Sequence, residues 1–509
     1  MERNEDQNAR VQLPFTEKSQ PIELTAEIAL PDYRSEISRL LWVRPVLQPP
    51  TRFIGGGKVD FSGPVRYHIL YVGPDGGLYS AEHEEGYAFS LSLDGPVRES
   101  GGEELAITAE AEPEAVITRV IGPRKLSVRC RLRAHMQGYA VRSLSPRVSG
   151  EGELHRLCHS AENGRVTFGE PERLTCSGHM TVDVGEGELR VVSAIGHAIP
   201  DRVTASDGAV HCTGEVVVSL LLVRENGDPS LPFAAECRLP FESELPLEGA
   251  APDAAMRVTG AVGEIRCAVE GETVSVEATV ALVAEGQSEE SVLLCDDLFS
   301  PGRVAEYRTV EEKFWRAGLC TNRNFSISQE KTLAELGLGA DVERILTVAD
   351  VEVREKHPEG EKTLLSGDLC CHLLCRRGGE YAVCDFSIPF RTFLEGAWDH
   401  ISLSCVAPCC RVSTVRDGEA LRVDAEIYMS LRGSGSVTDT VLAEARFAPS
   451  EETKRVDMEI CYPAVGETLW SVCKRYGISP ESLANANAIS AEAPGAAESL
   501  AGVRYLLIP

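Results

Sequence analysis

Apolar residues alternate with polar ones at a period of two over most of the chain, and one alternating run recurs three times. After Gly63 the apolar column is Val65, Tyr67, Ile69 and Tyr71. After Gly214 it is Val216, Val218, Leu220 and Leu222, and after Gly367 it is Leu369, Cys371, Leu373 and Cys375. Side chains two apart share one face of a strand, so these columns predict the core face of three equivalent strands. The other column begins Arg66 and His68, Val217 and Ser219, then Cys370 and His372, and is expected to be partly solvated. The stretches "GPDGG", "ENGD" and "RRGGE" that follow suit hairpin turns, because Gly, Asn and Asp tolerate positive φ.

The three glycines lie 151 and 153 residues apart, and a small or hydroxyl residue precedes each. Upstream come "SEISRLLWV", "GELRVVSAI" and "DVERILTVA", in which Ile37, Leu189 and Val342 precede their glycines by 26, 25 and 25 residues. A short helical turn is expected near "EISRLL" and its equivalents. Downstream come "LPFESELPLE" around Phe241, "IPFRTFLEG" around Phe390, and a weaker "YAFSLSLDG" around Phe89. A fourth element reads "RKLSVRCRLRA", "ETVSVEATVAL" and "EALRVDAEIYM". Four ordered elements at a common period predict three homologous, mainly antiparallel β domains. Their expected extents are 21–150, 170–300 and 322–450, after a polar segment 1–20 and before a unit at 458–509.

The last fifty residues change period. Leu469, Val472, Cys473 and Tyr476 fall at i, i+3, i+4 and i+7, one face of a helix. Gly477 then sits where helices commonly end. Ser479-Pro480 supplies an N-cap and a proline at the first helical position of a second helix through "PESLANANA". With strands at "MEICYPA" and "RYLLIP", the expected order is βααβ.

Composition narrows the function. Lys and Arg number 50 against 78 Asp and Glu, a formal charge of −28. That disfavours nucleic acid, whose phosphates need clustered cations, and adsorption to anionic lipid. Apolar runs fall short of the roughly 20 residues of a membrane span, and the N-terminus lacks a signal-peptide pattern, so no direct membrane insertion and a cytoplasmic location are expected. The 17 cysteines, an odd number, are then expected as thiols. Seven lie between Cys370 and Cys410, without a CxxC pair, and Cys371 and Cys375 share columns with Tyr67 and Tyr71. They read as small core hydrophobes, and no metal is expected. His68 and His372 share a column without a recognisable nucleophile or orienting carboxylate, and read as satisfied strand histidines. "GGGKV" at Gly55 lacks the glycine and hydroxyl of a phosphate loop and reads as a flexible entry to a strand. No catalytic residue set appears, so neither an enzyme nor a cofactor is expected.

The C-terminal run Gly466-Glu467-Thr468-Leu469-Trp470, the step from Leu483 to Asn487 and the closing Ile508-Pro509 resemble the LysM domain. The resemblance implies a groove that binds peptidoglycan or other N-acetylglucosamine polymers, walled by Gly466, Glu467, Thr468 and Leu469 on one side and Asn487, Ala488 and Ile489 on the other. Glu467 stands where the family carries Asp. The triplicate units, with "E-apolar-x-R-apolar-apolar", "SG-x-V" and "PF", resemble the SPOCS domains of spore-forming Firmicutes, among them Clostridia. SPOCS units followed by one LysM domain imply a non-enzymatic adaptor of spore-coat assembly. Such a protein is made in the mother-cell cytoplasm, is recruited to the forespore surface, and docks through LysM to a coat ATPase. The alternative is a peptidoglycan binder at the wall or cortex.

Overall fold

A computed structural model describes residues 9–93, 105–150, 152–182, 187–225, 232–339, 341–415, 418–449, 458–489, 500 and 502–509. Its first unit opens with β1 (Arg10–Ala29). There follow β2 (Arg39–Leu47), β3 (Thr51–Gly55), β4 (Lys58–Val72), β5 (Leu78–Ser92), β6 (Leu105–Gly122) and β7 (Lys125–Ser143). One antiparallel sheet has the order β1-β7-β6; in the other, β4 is flanked by β5 on one edge and by β2 and β3 on the other. The linker after it holds the short β8 (Arg147–Ser149).

The same order recurs twice. The second unit has β9 (His155–Phe168), β10 (Glu172–Thr181), β11 (Glu188–Ser206), β12 (Ala209–Glu225), β13 (Pro232–Pro246), β14 (Ala255–Glu270) and β15 (Thr273–Phe299), in sheets β10-β15-β14 and β11-β12-β13. The third has β16 (Arg303–Thr332), β17 (Glu343–Glu359), β18 (Lys362–Arg377), β19 (Glu380–Glu395), β20 (His400–Val415) and β21 (Ala420–Pro449), in the order β16-β21-β20-β17-β18-β19, where the single pairing of Ala349 with Ala407 joins the β16-β21-β20 and β17-β18-β19 layers. Each unit is thus a sandwich of a three-stranded meander and a hairpin sheet. The predicted core columns fill it: all twelve residues from Val65 to Cys375 are at most 2% exposed. The "GGGKV" stretch is a tight hairpin between β3 and β4 rather than a flexible entry. Strand β1 crosses the expected limit at residue 20, and β16 crosses residue 322. The "ENGD" turn lies largely outside the described residues.

Backbone register explains the repeated sequence signals. Gly63 pairs with Tyr87, Gly214 with Phe241 and Gly367 with Phe390. The aromatic equivalent to Phe241 and Phe390 is therefore Tyr87, two residues before the expected Phe89. A Cβ at Gly63 would lie 2.8 Å from the Tyr87 hydroxyl, and one at Gly214 would lie 2.7 Å from the Phe241 ring. At Gly214 and Gly367 it would also strike a backbone carbonyl, of Ile199 and Glu352 respectively. Those carbonyls lean in where β11 and β17 bulge opposite the glycine.

The expected helical turns are strands. In every unit the first meander strand bulges: the register shifts between Leu40 and Trp42, between Val191 and Ser193, and between Arg344 and Leu346. The extra residues, Leu41, Val192 and Ile345, each stand 22 positions before their glycine. A bulge puts two successive apolar residues on nearly one side, which breaks the period of two and imitates a helical stripe.

The second column of the middle strands is also not what alternation alone predicts. His68 is 6% exposed, and Leu70, Leu221 and Leu374 are fully buried. These leucines form one cluster with Val192, Ile195, Leu346 and Tyr381, drawn from all three units. The units meet cyclically: β5 packs on β11, β13 on β17, and β19 on β2. The meander sheets are therefore covered on both faces, and the ring closes.

A second junction is polar. The thirteenth residues of β7, β15 and β21 are Gln137, Glu285 and Arg432. Glu285 accepts from Arg432 Nε at 3.1 Å and from Arg257 Nε at 3.0 Å, and Arg432 also donates to Gln137 and to Tyr139. Arg257 reaches Glu110 at 2.8 Å and the carbonyls of Ser402 and Ser430 at 3.2 Å. Two guanidinium groups and two carboxylates thus balance where three units touch. Burial alone would raise the Glu285 carboxyl, but Arg257 and Arg432 outweigh it and hold it below the ordinary range.

Two predictions follow from packing and charge. Gly214→Ala and Gly367→Ala are expected to cost about 1–3 kcal/mol of unfolding free energy, since a carbonyl cannot swing aside like a side chain. Gly86→Ala, which meets open space, serves as the near-neutral control in the same denaturant series. Glu285→Gln is expected to cost about 3–5 kcal/mol by leaving buried guanidinium charge uncompensated. A carboxylate with a lowered folded-state pKa stabilises the fold above its unfolded value, and that contribution is lost as pH falls through the folded value. The variant should accordingly lose less stability than the parent as pH falls below the ordinary glutamate value of 4.5.

Candidate functional site

Beyond the ring, β22 (Glu459–Cys461) pairs antiparallel with β23 (Leu506–Ile508), and α1 (Leu469–Tyr476) and α2 (Pro480–Asn487) lie between them in sequence. The local sequence dictates both helices. Thr468 Oγ1 accepts from Ser471 N, and Ser471 Oγ accepts from Thr468 N, a reciprocal capping box. Gly477 ends α1 at φ 64°, a left-handed conformation that suits glycine. Ser479 caps α2 by accepting from Ser482 N at 3.1 Å, with Pro480 following. Leu469, Val472 and Cys473 are buried with Leu483, Leu506 and Ile508.

The expected groove residues divide by what their atoms already do. Leu469 is 3% exposed and belongs to the core. The Thr468 side chain is committed to the cap. Glu467 accepts from Ala464 N at 2.9 Å and pairs with Arg475 at 2.8 Å, while its carbonyl accepts from Leu500 N. Asn487 donates to the carbonyls of Leu483 and Leu507 and accepts from Leu507 N at 2.6 Å, clamping α2 to β23. Gly466 and Ala488 are exposed and Ile489 is half-buried. Ala488 has φ 52°, the one non-glycine positive φ among the described residues. The exposed members of the expected groove thus offer backbone and small apolar surface.

Two features escaped the sequence reading. Exposed apolar residues surround the two-stranded sheet: Ile460 pairs with Leu507, Met458 and Tyr462 flank its strand, and Tyr505 precedes the partner strand. Met458, Ile460, Tyr462 and Tyr505 are 52–72% exposed. Three strand residues are too few for alternation to say which face a neighbour covers. The second feature is the seat of α1 on the ring. Trp470 Nε1 donates to Asp297 at 2.9 Å, Lys474 Nζ reaches both Asp297 oxygens at 2.7 Å, and Phe299 meets the Trp470 ring edge-on at 4.9 Å. Burial would lower the Lys474 pKa, but Asp297 outweighs it and the value is raised. No local motif announces a contact across more than 170 residues.

His68, His372, Cys371 and Cys375 have plain roles. His68 lies 3.2 Å from Glu82, and His372 bonds to Asp385 at 2.7 Å. Cys371 and Cys375 are 1% and 2% exposed. Among the described residues no group of three or more His, Cys, Asp or Glu is placed to hold a metal ion, and no helix is long and apolar enough to cross a membrane.

The helix pair closed by a two-stranded sheet has the βααβ order expected of this segment. A sequence model of the LysM family matches residues 465–493, so this segment is a LysM domain, whose class binds peptidoglycan and related carbohydrates. Neither a curated protein nor a solved structure matches the chain.

Asn487→Ala removes three hydrogen bonds and is expected to destabilise this domain by about 1–3 kcal/mol. Hydrogen exchange at the Leu507 amide reads the loss directly. Asn485→Ala, at an exposed position of the same helix, should leave exchange unchanged.

Proposed function

We propose that this protein is a non-enzymatic adaptor of spore-envelope assembly, in which a closed ring of three SPOCS-like units holds one LysM domain out toward a partner. The partner is a forespore-coating ATPase, met from the mother-cell cytoplasm. The observation that carries this reading is the exposed apolar surface of Met458, Ile460, Tyr462 and Tyr505 on a domain whose α1 is anchored to the ring. Contiguous exposed apolar surface of this kind marks a protein interface. The three recurring sequence elements support the SPOCS-like assignment, and the anchored seat supports rigid presentation.

A second reading follows from the LysM match: the groove at Gly466, Ala488 and Ile489 binds N-acetylglucosamine polymers of peptidoglycan. The two readings use different surfaces, so one experiment separates them. The full chain is tested for capture of the purified coat ATPase and for sedimentation with peptidoglycan, with Ile460→Asp and Ala488→Trp variants. The adaptor reading expects Ile460→Asp to weaken capture by about tenfold or more, as loss of an interface anchor does, and Ala488→Trp to leave it intact. Capture insensitive to Ile460→Asp counts against it. Sedimentation lost only in Ala488→Trp favours the carbohydrate reading.

A further inference from the structure

One pair of thiols differs from the rest. Cys158 on β9 and Cys295 on β15 stand directly opposite each other in the antiparallel register. Directly opposed strand residues have Cα separations of about 4.5–5.5 Å, inside the range a disulfide spans. Cys158 is exposed, whereas Cys295 is 8% exposed beneath it. Cys295 Sγ donates to the Asp297 carbonyl at 3.5 Å; the proximity of Cys295, against burial and Asp296 and with help from Arg156 and His159, brings the Cys158 pKa down to about 7. The neighbouring Cys158, followed by burial, pushes the Cys295 thiol up. An accessible, acidic thiol beside a protonated neighbour is the arrangement of an attacking and a resolving cysteine.

The contrast within the molecule is sharp. Cys371 and Cys410 are in contact, with sulfurs 3.9 Å apart, but Cys371 is 1% exposed inside the third sandwich. Contact with Cys410, then burial, raises its pKa.

We propose that Cys158 and Cys295 form a peroxide-reactive site that closes to a disulfide at the base of the LysM seat. The Cys158 thiolate attacks one oxygen of hydrogen peroxide; an S–O bond forms, the O–O bond breaks, and hydroxide leaves and takes up a proton as water. The Cys295 sulfur then attacks the sulfenic acid; the S–S bond forms, the S–O bond breaks, and water departs with the thiol proton. Two thiols lose two electrons while the peroxide is reduced to two waters. The position matters because the strand bulges between Cys295 and Asp297, and Asp297 holds Trp470 and Lys474. Leu157, next to Cys158, packs on the LysM core. Drawing the two sulfurs to bonding distance strains this bulge and loosens the grip on α1. This inference does not depend on the partner proposed above.

The test uses the reduced full chain with hydrogen peroxide, thiol alkylation and peptide mass spectrometry. Before oxidation, Cys158 is expected to alkylate at neutral pH about tenfold faster than an ordinary thiol. After oxidation, a Cys158–Cys295 linked peptide should appear while Cys371 and Cys410 remain free. In Cys295→Ser the linked peptide is absent and dimedone traps a sulfenic acid at Cys158. Linkage should also speed hydrogen exchange in residues 469–476. The site is refuted if Cys158 stays reduced, links elsewhere, or alkylates no faster than Cys371; unchanged exchange after linkage refutes the coupling to the seat.

Discussion

The constraint on which this architecture rests is that each meander sheet is apolar on both faces. Its inner face fills its own sandwich; its outer face carries Leu70, Leu221 or Leu374, all fully buried between units. A fully buried leucine is worth about 1.5–3 kcal/mol relative to exposure, and each unit brings several neighbours with it. A unit standing alone would present this surface to water. Three units in cyclic contact hide all of it, and a ring of fixed size leaves no open end for a fourth.

The polar junction then does what apolar packing cannot. Leucines at equivalent positions would fit any order of units. Gln137, Glu285 and Arg432 occupy one strand position but are an amide, an acid and a base. Exchanging two units would face like charges or strand an unpaired one, and buried charge without a partner is costly. The network gives little net stability over an apolar substitute of similar shape, so its contribution lies in making one arrangement of the units satisfy every group.

The sequence disclosed what is periodic and hid what is relational. Twelve core residues of the middle strands were legible because alternation reports burial on one face. Both helices of the LysM domain were legible because Thr468, Gly477, Ser479 and Pro480 are local signals that act within a turn. The bulges at Leu41, Val192 and Ile345 were misread as helical turns because an extra strand residue puts apolar neighbours in the same spacing. Tyr87 was overlooked in favour of Phe89 because register, not resemblance, decides which aromatic covers a glycine. Of the expected groove residues, Thr468 and Asn487 spend their side chains on the fold. The opposition of Cys158 and Cys295, 137 residues apart, belongs to register alone and left no trace in composition.

The LysM domain has one seat although the ring has three units, and strand length gives the reason. Strand β7 has 19 residues, whereas β15 has 27 and β21 has 30. The distal part of β15 pairs with β9, and that of β21 with the first half of β16, so both pairs run on past the sandwiches. At the turn from β15 to β16, Asp297, Phe299 and Tyr307 come together, and Lys474 lies 4.5 Å over the Tyr307 ring. An acid to hold Lys474 and the Trp470 indole, an aromatic edge against that indole and a second ring beneath the ammonium are all needed at once. Strand β7 ends too early to build such a platform. The orientation of the LysM domain is thus fixed by an extension that only part of the repeated design carries, and the same extension brings Cys158 and Cys295 beside the seat.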